Sequence, residues 1–208
     1  MGALNLILGQ EDLPPLTVEA CRAMIGAGAR ALIARGFAAA GAPLDEARMP
    51  ALFARFIDVY LDRIAAESAP YPGVIACLDA LAADGARLAI CTNKRTDLSV
   101  ALMDALGLTG RFAAIVGADQ AAAPKPDPVH LLTALERAGG DRARAVMVGD
   151  SVSDARAAQG AGVPLVLVTF GYTETPVAQL GADVLINHFD ELRGACERLL
   201  RPGLSARA

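Results

Sequence analysis

The sequence predicts an α/β protein, with an all-helical part followed by a parallel sheet that has helices on both faces. Residues 1 to about 67 carry apolar side chains at helical spacing and contain no strand of a parallel sheet. From residue 74 onward, short apolar runs alternate with helical segments, which is the order of βαβ units and a Rossmann-like sheet. Pro70-Tyr71-Pro72-Gly73 separates the two patterns. We therefore expect a helical domain at 1–69, an α/β core at 70–200 and a frayed tail at 201–208.

Each element is predicted from its apolar spacing and from the turn residues that bound it. In the first part, the helical segments span 4–8, 21–37 with an interruption at 26–30, and 45–66. In the second part, the predicted helices span 74–83, 97–106, 127–138, 154–161, 175–180 and 189–200. The predicted strands span 86–92, 113–116, 145–148, 165–168 and 184–186.

The composition limits the classes of protein to which this chain can belong. Hydrophobic residues make up 54% and charged residues 20% of its 208 residues, so the chain can bury a large core and is not disordered. The net charge is −4 and there is no basic run, which argues against nucleic acid as a partner. No apolar run reaches the ~18 residues of a membrane helix. The first residues also lack the basic segment that is typical of a secretory signal.

The four cysteines, Cys21, Cys77, Cys91 and Cys196, are scattered and have no Cys-x-x-Cys spacing. This pattern is typical of small buried side chains in a reducing compartment, and not of a zinc site or a disulfide framework. We therefore expect a cytoplasmic protein. The sequence leaves its oligomeric state open.

The stretch 146–154 carries the strongest functional signal. A short apolar strand ends at Gly149, where glycine allows a sharp turn, and Asp150 follows at the strand's carboxyl end. Asp154 lies four residues later, in the next predicted helix. Ligands bind at this edge of an open parallel sheet, and a carboxylate there suits Mg²⁺, which takes oxygen ligands, water and phosphate. Taken alone, the two aspartates are equally typical of a helix cap.

Two further polar groups follow predicted strand ends. Thr92 and Asn93 can donate hydrogen bonds to phosphate oxygens, although a threonine and an asparagine also form ordinary turns and caps. Lys125 lies between Pro124 and Pro126, which fix the backbone on both sides of it. Such a stiff loop suits an ammonium group that must point at an anion. The alternative is an exposed lysine in a proline-rich loop.

In their order and positions, these motifs closely resemble the haloacid dehalogenase superfamily of phosphohydrolases, and its phosphoglycolate phosphatase branch in particular. The matching segments are Tyr71-Pro72-Gly73-Val74, Cys91-Thr92-Asn93-Lys94, Lys125-Pro126-Asp127-Pro128, Val148-Gly149-Asp150-Ser151, Thr169-Phe170-Gly171-Tyr172 and Gly181-Ala182-Asp183. The resemblance covers nearly the whole chain, from about residue 4 to 200.

The resemblance implies a role for each candidate residue of the core. Thr92, together with Asn93, would bind the transferring phosphoryl group. Lys125 would orient and neutralise the phosphate and the nucleophile. Asp150 would help to bind Mg²⁺. Asp154 would support that site without binding the metal ion itself.

The resemblance also implies a role for the helical part. Residues 1–69 match the helical cap that closes over the substrate. Within it, Gly26, Gly28 and Arg30 match a cap loop that faces the ligand. The two glycines are also explained by close helix packing.

One motif of the family is absent from the printed sequence. The family's nucleophile follows an N-terminal strand, in Asp-x-Asp-Gly-Thr, where the first aspartate forms an aspartyl-phosphate and the second is the general acid and base. No Asp-x-Asp occurs in residues 1–208. Asp12 does not replace it, because no second aspartate or Gly-Thr follows and Pro14-Pro15 comes too soon. A start-site error, a fragment and a real truncation each explain this difference.

In the family, that strand lies in the middle of the sheet, between the strand ending at Thr92 and the strand ending at Asp150. Each large apolar side chain of a buried strand contributes about 1.5–3 kcal/mol. Such a strand therefore rivals the whole stability of a domain, roughly 5–15 kcal/mol. We therefore expect the central first strand to be missing, and the printed chain to fold poorly alone and to be nearly inactive.

The expected function is that of a Mg²⁺-dependent phosphate monoester hydrolase, which converts 2-phosphoglycolate to glycolate and phosphate through an aspartyl-phosphate. The expected partner is a small phosphorylated metabolite. One alternative is a phosphatase of the same superfamily that acts on a sugar phosphate, since the cap determines most of the substrate choice. The other is a truncated, non-catalytic protein that binds a phosphorylated ligand.

Overall fold

The computed structural model describes residues 2–24, 28–64, 66, 68–173 and 175–200. The chain divides into two compact units, Met1–Ala69 and Pro70–Ala208. The predicted tail at 201–208 lies outside the described residues.

The first unit is helical. Its α-helices are α1 (Gly2–Gln10), α2 (Val18–Ala23), α3 (Ala29–Ala39) and α4 (Met49–Asp62). A 3₁₀ turn at Glu46–Arg48 leads into α4, and the Asp45 carboxylate caps it by accepting the Ala47 N–H at 3.1 Å. The predicted segment 45–66 is therefore a capped turn followed by one amphipathic helix that ends at Asp62.

Apolar stripes on α1, α3 and α4 form the core of the first unit. The fully or nearly fully buried large side chains are Leu4, Ile7, Leu8, Ile33, Phe37, Leu52 and Phe56. Helices α1 and α3 approach closely at Gly36, where an added Cβ would lie 2.8 Å from the Leu4 side chain. Glycine at this helical position therefore allows the close packing of the two helices.

The second unit alternates strands and helices. Its strands are β1 (Ala89–Cys91), β2 (Ala114–Val116), β3 (Met147–Gly149), β4 (Leu165–Val168) and β5 (Val184–Ile186). Its α-helices are α5 (Val74–Ala83), α6 (Thr96–Ala105), α7 (Pro128–Arg137), α8 (Val152–Ala161) and α9 (Leu192–Leu199). The predicted α/β class with a parallel sheet is confirmed.

The strands form two separate parallel ladders. Strand β1 pairs with β2, and β4 pairs with both β3 and β5. Within the described residues, β1 and β3 are not hydrogen-bonded to each other. The Thr92 N–H donates to the Val116 carbonyl at 3.0 Å, and the Met147 N–H donates to the Pro164 carbonyl at 2.8 Å. Because backbone groups alternate in direction along a strand, those of Cys91 and Val148 point away from these partners.

Strand β4 is buried along its whole length and has helices on both faces. Leu165 and Leu167 pack in a cluster with residues of α7 and α8, and Val166 and Val168 pack with residues of α5 and α9. This alternation is expected of a central strand in a doubly covered sheet.

Two predicted elements differ in kind from the observed ones. The segment 175–180 contains only a 3₁₀ turn, Val177–Gln179, and 189–200 begins with another, Phe189–Glu191, before α9. Strand β1 is shorter than the predicted 86–92, because its partner β2 begins only at Ala114, opposite Ala89. Helix α8 begins two residues earlier than predicted, at Val152, because Ser151 is its N-cap.

Candidate active site

The candidate residues of the second unit meet at the carboxyl ends of β1 and β3. Thr92 and Asn93 directly follow β1, and Asp150 directly follows β3. Lys125 belongs to the loop before α7, and Asp154 lies in the first turn of α8. The hydrogen bonds described below connect Asn93, Lys125 and Asp154 directly.

A buried ion pair joins Lys125 and Asp154. The Lys125 Nζ lies 2.6 Å from the Asp154 Oδ1, and the two side chains are only 9% and 7% exposed. The same Nζ donates to the Cys91 carbonyl of β1 at 2.6 Å. Lys125 therefore connects the end of β1 to the first turn of α8, and the alternative of an exposed lysine in a proline-rich loop is wrong.

The Asn93 side chain holds the backbone of Lys125. Its Nδ2 donates to the Lys125 carbonyl, its Oδ1 accepts the Lys125 N–H, and both distances are 2.9 Å. This two-point contact fixes the start of the loop relative to β1. The predicted phosphate contact of Asn93 stays a prediction, since one of its two amide hydrogens is used here.

Thr92 closes β1 with its backbone, and its side chain forms a local turn. Its N–H donates to Val116 of β2, and its Oγ1 accepts the Lys94 N–H at 3.2 Å. The hydroxyl is a donor as well as an acceptor, so this contact leaves its proton for an anion. The predicted phosphoryl-binding role of Thr92 stays a prediction.

Asp154 caps its own helix as well as pairing with Lys125. Its Oδ2 accepts the Ser151 N–H at 3.1 Å and its own N–H donates to the Ser151 Oγ at 3.4 Å, which together form a capping box. The Oδ2 also accepts the Ser151 hydroxyl at 2.7 Å. Burial alone would raise the pKa of Asp154, but the Lys125 charge and these hydrogen bonds hold that pKa below its usual range. Asp154 therefore caps α8, as the sequence allowed, and also pairs with Lys125, while its predicted support of a metal site stays a prediction.

Gly149 is required for space and not for a turn. Its backbone does not have a positive φ, so the sharp turn that the sequence indicated is not the reason for glycine here. An added Cβ would overlap the carboxylate side chain of Asp154. Glycine thus lets β3 end directly against the Asp154 side chain.

Asp150 does not cap α8 and is held instead by the segment that follows β4. Its Oδ2 accepts the Tyr172 N–H at 2.8 Å. Burial raises the pKa of Asp150, and the neighbouring Asp154 carboxylate raises it further, while the Tyr172 amide and the Lys125 charge oppose the rise. A carboxylate in this environment is one that a bound cation would stabilise.

Gly171 is the residue that lets this segment approach Asp150. An added Cβ at Gly171 would overlap the Asp150 side chain. We expect Gly171→Ala to displace Asp150 and to lower the free energy of unfolding by about 1–3 kcal/mol, the usual cost of overpacking. Urea unfolding followed by circular dichroism measures this loss.

Gly110→Ala is the matched control for Gly171→Ala. An added Cβ at Gly110 meets no atom within 4 Å, so its effect should stay within about 0.5 kcal/mol, as for other surface substitutions. Equal effects of the two variants would show that the approach of Gly171 to Asp150 is not tight in solution.

The described donors fit a magnesium site that uses one protein carboxylate. No group of three or more histidine, cysteine, aspartate or glutamate side chains suited to a metal occurs among the described residues. Mg²⁺ commonly uses one or two carboxylates and completes its six oxygen ligands with waters and substrate phosphate. Asp150, a hard oxygen donor at a strand end, is suited to be such a ligand.

The raised pKa of Asp150 predicts a pH-dependent stability effect. Because the folded pKa lies above the unfolded one, the ionised carboxylate costs stability at high pH, and this cost vanishes as the pH falls below both values. We expect Asp150→Asn to raise the Tm of the metal-free protein at pH 7 and to leave it unchanged near pH 3. Thermal unfolding at the two pH values, without divalent ions, measures this.

The control for Asp150→Asn is Asp58→Asn, which removes an exposed carboxylate from α4. It should leave the Tm unchanged at both pH values. A lower Tm of Asp150→Asn at pH 7 would contradict the predicted cost of the buried charge.

The cap-loop residues lie in the first unit. Gly28 has a φ of 87° and precedes α3 as its N-cap residue, and the Arg30 guanidinium lies 4.7 Å from the centre of the Phe53 ring. Gly26 lies outside the described residues. The role of this loop in substrate binding stays a prediction.

One buried polar residue at this site, His130, was not predicted from the sequence. It is the third residue of α7 and is completely buried. Its ring contacts the Lys125 N–H and the Val116 carbonyl, both at 3.2 Å. The only signal in the sequence is a histidine five residues after Lys125, which does not by itself indicate such a contact.

All four cysteines are free thiols, and burial raises the pKa of Cys91 and Cys196 to about 11. None of the helices in the described ranges is long and apolar enough to cross a membrane.

Comparisons with known proteins identify the family. The sequence profile of the haloacid dehalogenase-like hydrolases matches residues 1–168. A phosphoglycolate phosphatase of Caulobacter vibrioides is 59% identical over 200 residues, which cover 96% of this chain and 84% of that protein. An N-acetylmuramic acid 6-phosphate phosphatase of Pseudomonas aeruginosa is 34% identical over 190 residues, which cover 90% of this chain and 83% of that protein.

A solved structure agrees with the sequence comparisons. The crystal structure of a protein from Haemophilus somnus 129PT, described as a predicted phosphoglycolate phosphatase, superposes with a TM-score of 0.86 at 28% identity. The match covers 93% of this chain and 88% of that one. The chain therefore belongs to the haloacid dehalogenase-like hydrolase family, among its phosphatases.

Proposed function

We propose that the chain is a Mg²⁺-dependent phosphate monoester hydrolase whose substrate is 2-phosphoglycolate, which it converts to glycolate and inorganic phosphate. The observation that carries this proposal is the buried Lys125–Asp154 ion pair beside Asp150 at the ends of β1 and β3. Lys125 supplies a fixed positive charge, and Asp150 supplies a carboxylate suited to a hard cation. These are the two features needed to bind a phosphate dianion.

Each residue has a distinct part in this proposal. The Lys125 ammonium neutralises a phosphate oxygen, and Asp154 keeps that ammonium in place. The Thr92 hydroxyl and the Asn93 amide donate hydrogen bonds to the phosphoryl group. Asp150 would hold Mg²⁺, which when bound supplies positive charge to the phosphoryl oxygens.

The bond-breaking step in the family uses an Asp-x-Asp motif, which does not occur in residues 1–208. In the route we propose, an aspartate of an Asp-x-Asp motif attacks phosphorus and the ester P–O bond breaks. The second aspartate donates a proton to the leaving alcohol, and later removes one from the water that hydrolyses the aspartyl-phosphate. The residues described above bind and orient the phosphate for this step.

The relatives support 2-phosphoglycolate as the substrate, because the Caulobacter vibrioides protein is named for it and is 59% identical. A sugar phosphate is the alternative, and the N-acetylmuramic acid 6-phosphate phosphatase at 34% identity favours it. The free cysteines are consistent with the cytoplasm, where small phosphorylated metabolites occur.

A steady-state assay of phosphate release tests the proposal, with the chain preceded by an Asp-x-Asp-Gly-Thr strand segment from a family member. We expect the largest kcat/KM with 2-phosphoglycolate and no turnover after Mg²⁺ is removed by a chelator. A larger kcat/KM with N-acetylmuramic acid 6-phosphate or another sugar phosphate would favour the alternative substrate. Binding of 2-phosphoglycolate without any turnover would favour a non-catalytic binding protein.

A further inference from the structure

His130 has a ring whose two nitrogens have partners of opposite kind. The Lys125 N–H donates to Nδ1 at 3.2 Å, and Nε2 faces the Val116 carbonyl at 3.2 Å. A backbone N–H can only donate, so Nδ1 must be without a proton. A carbonyl can only accept, so Nε2 must carry one. The two contacts therefore require the neutral ring with its proton on Nε2.

The surroundings of the ring favour the same neutral state. His130 is completely buried, and this burial lowers its pKa, with the Lys125 charge acting in the same direction. The Val116 carbonyl and the Asp119 carboxylate oppose the shift. A proton on Nδ1 would point directly at the donating Lys125 N–H, so the cationic ring would break that contact.

The ring connects the loop of Lys125 to the end of β2. Val116 is the last residue of β2, and Lys125 is also held from the end of β1 by Asn93. The Lys125 N–H is thus shared between the Asn93 Oδ1 at 2.9 Å and the His130 Nδ1 at 3.2 Å, while the Lys125 ammonium pairs with Asp154 of α8. Loss of either backbone contact would leave the ammonium group on a less constrained loop.

We propose that His130 is a positioning residue, whose neutral ring bridges the Lys125 N–H and the Val116 carbonyl and thereby fixes the ammonium group of Lys125 for phosphate binding. This role rests on the proposed function only for its last step, since phosphate is the proposed ligand of Lys125. His130 touches no reacting atom in this arrangement.

The first test is nuclear magnetic resonance of ¹⁵N-labelled residues 1–208 preceded by the same Asp-x-Asp-Gly-Thr strand segment as in the phosphate-release assay. Long-range ¹H–¹⁵N correlations at neutral pH should show His130 with its proton on Nε2 and an unprotonated Nδ1. The Lys125 amide should be protected from hydrogen exchange. A proton on Nδ1, or a Lys125 amide that exchanges at the rate of an unfolded chain, would overturn the proposal.

Two substitutions separate the two contacts of the ring. His130→Asn keeps an acceptor near the Nδ1 position, whereas His130→Leu removes both contacts and stays apolar. Because the Asn93 Oδ1 still accepts the same N–H at 2.9 Å, we expect His130→Leu to speed exchange of the Lys125 amide only about two- to threefold, the low end of the effect of losing a hydrogen bond, and His130→Asn to restore most of the protection. Equal exchange rates in both variants and in the unsubstituted chain would contradict the role of His130.

Leu131→Ala is the matched control, because it removes a buried side chain from the same helix. Leu131→Ala should destabilise the second unit as a whole. Exchange of the Lys125 amide should therefore change no more than exchange of the amides of α7. A selective effect of equal size in Leu131→Ala would mean that His130 acts only through helix packing.

Phosphate binding distinguishes failure of this proposal from failure of the proposed function. Titration calorimetry with inorganic phosphate and Mg²⁺ should show weaker binding to both Lys125→Ala and His130→Leu than to the unsubstituted chain. If Lys125→Ala binds phosphate normally, Lys125 does not bind the phosphate, and this part of the proposed function is wrong. If Lys125→Ala alone loses binding, His130 does not position that residue.

Discussion

Residues 1–208 as a purified polypeptide are expected to hydrolyse phosphate monoesters at least about 10⁴-fold more slowly than the same residues preceded by an Asp-x-Asp-Gly-Thr strand segment. The magnitude follows from the loss that removal of a covalent nucleophile typically causes. In the proposed function the described groups bind and orient phosphate, and none of them is assigned the role of nucleophile. The measurement is phosphate release from 2-phosphoglycolate with Mg²⁺, at equal concentrations of the two proteins.

The two ladders of the sheet provide the structural reason for this expectation. Strands β1 and β3 are not paired with each other, and the backbone groups of Cys91 and Val148 point away from β2 and β4. A strand inserted between β1 and β3 would therefore find backbone donors and acceptors on both sides, with the Cys91 carbonyl also accepting the Lys125 ammonium. Its carboxyl end would lie beside Lys125, Asp150 and the end of β1.

A control separates the chemical effect of the added segment from its structural effect. The same segment with its first aspartate changed to asparagine should raise the Tm as much as the unchanged segment does, and should still fail to restore turnover. Mg²⁺-dependent turnover by purified residues 1–208 would contradict the expectation and would require a nucleophile within this chain.

Most of the fold of the second unit was predictable because its strands are short, apolar and bounded by turn residues. Strands β4 and β5 have the predicted bounds, and α5 does too. The errors occur where a partner determines the element. Strand β1 extends only as far as β2 can pair with it, and α8 begins where Ser151 and Asp154 form a capping box. Such contacts depend on tertiary positions, which local periodicity does not contain.

The candidate site was predictable in its charged residues but not in its supporting contacts. Lys125 and Asp154 were identified from motifs, and the structure brings them together. The Tyr172 N–H on Asp150 could not be deduced, because any residue supplies a backbone N–H. The contacts of His130 likewise depend on how α7 packs against β2. Conformation and packing, not residue type, create these interactions.

Lys125→Met is expected to destabilise the protein by roughly 3–5 kcal/mol, because it leaves the buried Asp154 carboxylate without its charged partner. The Lys125 and Asp154 side chains are only 9% and 7% exposed. A loss of this size is a large share of the stability of an ordinary domain, roughly 5–15 kcal/mol. Urea unfolding of the variant and of the unsubstituted protein at pH 7 gives the difference.

The double variant Lys125→Met/Asp154→Asn tests the cause of that loss. Asparagine keeps an oxygen for the Ser151 cap but carries no charge, so the double variant should recover most of the lost stability. It should nevertheless bind phosphate poorly, since the ammonium is gone. Arg193→Met is the control for a charged pair at the surface. The Arg193 Nε lies 2.7 Å from the Asp84 Oδ2, but the two side chains are 52% and 39% exposed. Little loss of stability is therefore expected.

The pH dependence of the Lys125→Met effect follows from the pKa of Asp154. That pKa is lowered in the folded protein, so the pair contributes its full stability above the unfolded pKa of about 3.9. This contribution is lost as the pH falls through the lower folded value. The difference between Lys125→Met and the unsubstituted protein should therefore shrink in acid. A difference that stays constant from pH 7 to pH 3 would mean that lost packing of the lysine stem, and not the unpaired carboxylate, destabilises the variant.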